Sequence, residues 1–208
     1  MNTKFFTRTS LCLAALLLAG CSEAPQQTEA KKEPPKPPEP VTGLTGLYEM
    51  YKPARNWAKD LETLKLTSAV LSDVKAKPGL AGAWQVTFVS ASQKQSRSFA
   101  YTIMELSATQ HKGVSAGSSD SWSGPKPNSK PFPPSAIKID SDKAYEVALE
   151  KAGDAAKKNA DKPITFVLEQ TDRFPNPAWR VVWGESVSSS TLSVFVDATT
   201  GKFLRVVR

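Results

Sequence analysis

Apolar and polar positions alternate along this chain with two different periods, and the changes of period mark its elements. In "LTGLYEMYKPARNWAKDLE", Leu47, Met50, Ala54, Trp57 and Ala58 or Leu61 recur at three- and four-residue steps. That spacing predicts a helix from about Tyr48 to Asp60, with Pro53 in its first turn or at a bend. "TLKLTSAVLSDVKA" alternates Leu64, Leu66 and then Ala69 or Val70, a strand that ends at the Lys77-Pro78-Gly79 turn. "GAWQVTFVSA" sets Trp84, Val86 and Phe88 against Gln85 and Thr87, the period of two of a half-buried strand. After polar "SQKQSRS", the stretch "SFAYTIMEL" returns with Phe99, Tyr101 and Ile103 on one face.

The same order recurs downstream. "IKIDSDKAYEVALEKAGDAAKKN" offers Asp140 or Ser141 as helix cap and Asp142 in the first turn, followed by a stripe of Ala144, Tyr145, Ala148, Leu149 and Ala152. "PITFVLEQ", "PAWRVVWGES" and "TLSVFVDATTGKFLRVVR" read as strands, the last broken by a turn before a short final strand. "GAWQVTF" and "PAWRVVW" share an Ala-Trp-x-Val-x-aromatic core, and each opens the middle strand of its set. Trp84 and Trp179 are therefore expected as equivalent core anchors. The expected fold is α+β: two pseudo-repeated units of a helix plus a three-stranded antiparallel sheet, at residues 43–112 and 135–208. A Gly/Ser/Pro-rich linker at 113–134 separates them, with Trp122 capping an apolar edge.

The N-terminal end changes the picture from a free domain to an anchored one. Lys4 and Arg8 precede an uncharged run from Thr9 to Gly20, the plan of an export signal at residues 1–20. Its apolar part is shorter than the roughly 20 residues that cross a bilayer. Leu18, Ala19 and Gly20 before Cys21 resemble the lipobox of bacterial lipoproteins, where cleavage precedes the cysteine and the cysteine carries acyl chains. Each buried methylene contributes about 0.8 kcal/mol, so several chains hold a domain on a membrane durably. Ser22 after the cysteine resembles the sorting pattern for the inner leaflet of an outer membrane. Cys21 and the Pro-rich linker fill residues 21–42, expected as a disordered, extended tether rising about 3.1 Å per residue where polyproline.

Charge and composition then narrow the chemistry. The formal charge of +7 includes Lys4 and Arg8, which leave with the signal, and the remaining basic residues are scattered, so nucleic acid is not an expected partner. Of the two cysteines, Cys12 leaves with the signal and Cys21 is the lipid site, so no disulfide or thiol nucleophile is expected in the mature domain. His111 is the single histidine and sits in polar "ATQHKGVSAGSS", which speaks against zinc or a Ser-His-Asp triad. No metal and no cofactor is expected. Asp120, Glu169, Asp172 and Glu185 are candidate acids for a hydrolase independent of histidine, but they are dispersed along the chain. "WGESVSSS" lacks the Gly-x-Ser-x-Gly of a nucleophile elbow.

The second unit is similar to the PepSY family, small α+β modules of exported bacterial proteins and of peptidase propeptides. The resemblance rests on "DKAYEVALEKA", "AWRVVW" and above all "VFVDATTGKFL", and spans Ile137 to Val207. Within it, Asp197 can accept amide hydrogen bonds two and three residues on, and Gly201 can take the positive φ that closes a turn. "GDAAKKNADKP" and "RFPNPAW" depart from the family pattern, and the first unit has "ELSATQHKG" where the turn would stand. The resemblance implies a non-catalytic envelope module that binds, scaffolds or restrains other proteins, including peptidases. The expected catalytic set is empty, and the expected partners are the membrane, through its lipid, and an envelope protein. The alternative is a carrier of an apolar ligand such as lipid, for which the aromatic count is the only sign.

Overall fold

The computed structural model describes residues 38–108 and 110–207. The signal peptide, Leu18, Ala19, Gly20, Cys21, Ser22 and most of the proline-rich tether lie outside the described residues. The elements are α1 (Gly43–Trp57), β1 (Leu61–Ala69), β2 (Ala83–Ser90), β3 (Gln95–Thr102), β4 (Gly113–Ser121), α2 (Ser141–Ala152), α3 (Asp154–Lys158), β5 (Ile164–Glu169), β6 (Ala178–Trp183), β7 (Leu192–Asp197) and β8 (Phe203–Val207).

The strands form one sheet of eight in the order β4-β3-β2-β1-β5-β6-β7-β8, antiparallel throughout. Two meanders run outward from a seam where β1 meets β5 through Lys65↔Glu169, Leu66↔Leu168 and Thr67↔Val167. The Ser68 hydroxyl prolongs that seam by accepting from the Phe166 amide at 2.9 Å. This corrects the expectation of two separate three-stranded sheets. Each half has four strands, and they share one ladder.

The fourth strand of the first half lies in the stretch assigned by composition to a linker. All but one of the residues of β4 are exposed, so its side chains carry no apolar rhythm; it is held by main-chain pairing with β3, from Gln95↔Ser121 to Thr102↔Gly113. In β1 the ladder shifts between Thr63 and Lys65. The irregularity at Leu64 moves the buried parity from Leu61 and Thr63 to Leu66 and Ser68, so Leu64 is only half-buried where strict alternation with Leu66 would bury it.

Both helices cover the same sheet face, α1 over β1–β3 and α2 over β6–β8. Between them and the sheet lie Trp84, Trp179, Trp183, Phe88 and Phe166, all fully buried. Trp84 and Trp179 meet edge to face with centroids 6.3 Å apart, and Phe166 packs on both. Each indole also bonds to the chain just ahead of a helix. Trp84 Nε1 donates to the Val41 carbonyl at 3.1 Å, and Trp179 Nε1 donates to the Ile139 carbonyl at 2.8 Å.

α1 begins five residues earlier than its apolar stripe predicts. Gly43 and Gly46 occupy its first turns because the tryptophans leave no room for a side chain there: a Cβ on Gly46 would stand 2.7 Å from Trp84 Cδ1. Pro53 lies within the helix, on its exposed face, where the carbonyl it leaves unpaired can meet water. In α2 the buried line is Ser141, Ala144, Ala148 and Ala152, and Leu149, expected in the stripe, is 45% exposed. Small residues make up that line, which packs into the shared core over β6–β8, and Leu149 falls on the helix's outer flank.

The two helix N-termini converge. Asp140, the cap of α2, accepts from its neighbour Ser141 N at 2.7 Å and from Leu44 N in the first turn of α1 at 2.9 Å. Ser141 Oγ accepts from Gly43 N at 2.8 Å and donates to the Gly79 carbonyl at 2.6 Å. Thr42 Oγ1 takes the Thr45 amide. The opening amides of α1 are thus satisfied in part by residues 96 and 98 positions away.

Asp60, just beyond α1, holds the β2–β3 turn by accepting from Ser90 Oγ at 2.6 Å and Ser92 N at 2.8 Å, bonds that lower its carboxyl to about 2. The folded value lies below the roughly 3.9 of a free aspartate. Its contribution to stability is therefore complete above that value and lost as pH falls through about 2.

Three outcomes follow for urea denaturation. Gly46→Ala, which helix propensity alone would make favourable by about 1 kcal/mol, is expected to destabilise by about 1–3 kcal/mol through overlap with Trp84. Asp140→Ala is expected to cost on the order of 2 kcal/mol because amides of both helices lose an acceptor. Asp60→Asn is expected to flatten the loss of stability between about pH 4 and pH 2.

Candidate functional site

Among the described residues the sheet's other face carries no helix, and its two halves differ. Across the first half, Thr67, Gln85, Thr87 and Ser98 project from β1, β2 and β3, with Thr87 and Ser98 in hydroxyl contact at 3.2 Å. This is a polar, solvated row. Across the second half, Val167, Arg180 and Phe195 stand side by side on β5, β6 and β7. A cleft of about 490 Å³ opens over Arg180 and Phe195, lined also by Glu169, Arg173, Phe174 and Ala178 and by Pro127 and Asn128.

Strand periodicity places Arg180 here. It lies between Trp179 and Val181, whose side chains enter the helix-covered core, so its own side chain must emerge on the opposite face. Its guanidinium carbon rests 5.3 Å from the centre of the Phe195 ring, and that of Arg173 lies 6.0 Å from the same ring. Phe174 packs on Phe195 at 5.5 Å, so two arginines and two phenylalanines share one floor. Arg180 Nε is buried without a hydrogen-bond partner among the described residues. Burial pushes the Arg180 guanidinium below its ordinary value, with the Glu169 carboxylate opposing and the Arg173 charge adding to the shift. Arginine nonetheless keeps its charge at any physiological pH.

The loop that brings Arg173 and Phe174 over the sheet is fastened on both sides. Asp172 is ion-paired with Lys130, and its amide donates to the Pro127 carbonyl at 2.7 Å. Asn176 Nδ2 donates to Asp197 Oδ2 at 3.0 Å. Asp197 Oδ1 also accepts from Thr199 N and Thr200 N, each at 2.8 Å, and Gly201 closes the β7–β8 turn with φ +74°. Burial raises the Asp197 carboxyl, and these bonds outweigh it, so the net shift is downward. The turn is tied back toward α2, because Thr199 Oγ1 donates to the Ala136 carbonyl and the Ala198 carbonyl accepts from Lys138 N and Ile139 N.

The four candidate acids are not assembled. Glu169 lines the cleft, Asp172 is engaged with Lys130, Asp120 stands exposed on β4 at the far edge, and Glu185 follows β6, where its carbonyl accepts from Thr165 Oγ1. His111 is exposed, with Nδ1 2.5 Å from Glu105 Oε1. Trp122 is half-buried at the end of β4, its amide donating to the Lys94 carbonyl. Among the described residues no group of three or more His, Cys, Asp or Glu is placed to hold a metal ion, and no helix is long and apolar enough to cross a membrane. An apolar hollow lined by Val70, Leu71, Val74, Ala81 and Ile164 measures about 70 Å³. Small-molecule sites span about 300–1,000 Å³.

The arginine cleft went unnoticed in the sequence. Arg180 had a signal, as the one charged residue inside "AWRVVW"; Arg173 and Phe174 had none, since a proline-bearing loop carries them.

No family profile and no curated protein matches the chain. Among solved structures, the chain is similar to the "putative lipoprotein (CD1622)" of Clostridium difficile 630, with a TM-score of 0.45 at 10% identity, over 78% of this chain and 91% of that one.

Proposed function

We propose that this chain is a lipid-anchored, non-catalytic lipoprotein of the bacterial envelope whose sheet-and-helix domain binds another protein and scaffolds or restrains it. The observation that carries this reading is the one-sided sheet. Two helices close one face with a filled aromatic core, whereas the other carries no helix among the described residues, is polar across one half and bears a cleft of arginines and phenylalanines across the other. Extended faces of this sort suit a protein surface better than a single small substrate, because a broad area stays available to be covered.

The lipobox at Leu18, Ala19, Gly20 and Cys21 supports anchoring, and Ser22 supports the inner leaflet of an outer membrane. The Asp197–Gly201 turn supports a PepSY-like second half, peptidase restraint being the role that family suggests. The matching order of helix and four-stranded meander, and the matching indole bonds of Trp84 and Trp179, support a first half that is a diverged copy of the second.

Cys21→Ser is expected to abolish incorporation of radiolabelled palmitate and to move the protein from the membrane pellet to the soluble fraction. Mass spectrometry showing an unmodified N-terminal cysteine in the wild type would overturn the anchor. Photo-crosslinking from Ser98 in intact envelopes is expected to recover a discrete protein partner.

A further inference from the structure

The cleft over β5–β7 holds an imbalance that the fold does not resolve. It brings together two guanidinium groups and one carboxylate, Glu169, and none of the three is in an ion pair among the described residues. Asp172, the other nearby acid, is held by Lys130. Arg180 Nε is buried with no acceptor among the described residues, and a buried donor left unpaired is destabilising. A protein stabilised only for its own fold would do better with an apolar side chain at this position, between Val167 and Phe195.

We infer that the cleft is a binding site for a carboxylate presented on a peptide segment of the partner protein, an aspartate or glutamate flanked by apolar residues, with Arg180 as its principal contact. The fork of a guanidinium, Nε with one Nη, matches the two oxygens of a carboxylate, and turning that fork toward the cleft supplies Nε with the acceptor it lacks. Arg173 adds a second charge from the loop above. Phe195, Phe174 and Pro127 give the flanking apolar side chains a surface, and this mixed lining favours a peptide over a bare anion. Glu169 acts against an acidic ligand and so sets its affinity. The inference rests on the protein-binding reading above and names the chemistry of the partner.

The test is a titration of the full mature chain in detergent micelles with the blocked pentapeptide acetyl-Ala-Leu-Glu-Leu-Ala-amide, following the backbone amide resonances of Phe174 and Phe195, which every variant retains, together with the Nε–Hε resonance of Arg180 in the wild type. A saturable shift is expected. The peptide with Gln for Glu should bind at least about tenfold more weakly, and Arg180→Lys, which keeps the charge and loses the fork, should weaken binding by about tenfold. Glu169→Gln should tighten binding severalfold, a gain that a merely structural role for the cleft would not produce. Absence of a saturable shift, equal binding of the Gln peptide, or equal binding by Arg180→Lys each overturns the inference. Glutarate or inorganic phosphate binding as tightly as the peptide would make this a small-anion site and overturn it as well.

Crosslinking in intact envelopes separates this failure from failure of the proposed function. A partner captured equally by wild type and Arg180→Lys leaves protein binding standing and removes the cleft from it. No partner captured while the peptide still binds does the reverse.

Discussion

The amide ends of α1 and α2 meet at the Asp140 carboxylate, and this contact fixes where both helices lie on the sheet. Each helix N-terminus carries the equivalent of about half a positive charge, so two of them brought together repel unless an anion stands between. Asp140 is that anion, bonded to the first turns of both helices, and Ser141 completes the junction through Gly43 and Gly79. With the helix ends joined, Gly43 and Gly46 are pressed onto Trp179 and Trp84, and the two indoles meet over the seam. The β1–β5 ladder is short, and this junction and the aromatic cluster beneath it join the halves alongside it.

Legibility in the sequence followed the range of the interaction. Period-two patterns in "GAWQVTF" and "PAWRVVW" marked strands because each side chain's face is decided by its immediate neighbours. The start of α1 was hidden because Gly43 and Gly46 are poor helix formers in isolation. They are chosen for closeness to tryptophans far along the chain, which no local pattern records. β4 was hidden for the opposite reason: its side chains meet little but water, and a strand held by main-chain bonds alone writes nothing into hydrophobic periodicity. The irregularity at Leu64 likewise shifts a buried face without changing composition. In the candidate site, Arg180 could be placed on the helix-free face from strand parity, while Arg173 arrives from a loop whose position depends on Asp172, Lys130, Asn176 and Asp197.

Similar halves have come to serve different surfaces. Both use an indole to hold the residue before a helix cap, and both feed a meander outward from the centre. On the helix-covered side the equivalence is kept by packing, since a change in either tryptophan is felt by the other. The open side has no such coupling. There one half presents hydroxyls and amides and the other a half-buried cation on an aromatic floor. A sheet closed by helices on one face and by loops in part on the other lets the first answer to stability and leaves the second room for recognition.

The clamp at Val41 has a mechanical consequence. Val41 exchanges both main-chain bonds with Ala81, at 3.0 and 2.9 Å, and its carbonyl also accepts the Trp84 indole. Tension arriving along the residues before Val41 meets these bonds before it can reach α1. The Ala81 partner adjoins β2, inside the sheet, so the load passes into the ladder and spreads across strands. The helix junction at Asp140 is thereby shielded from force, and a domain pulled by its N-terminal end would keep its open face in shape.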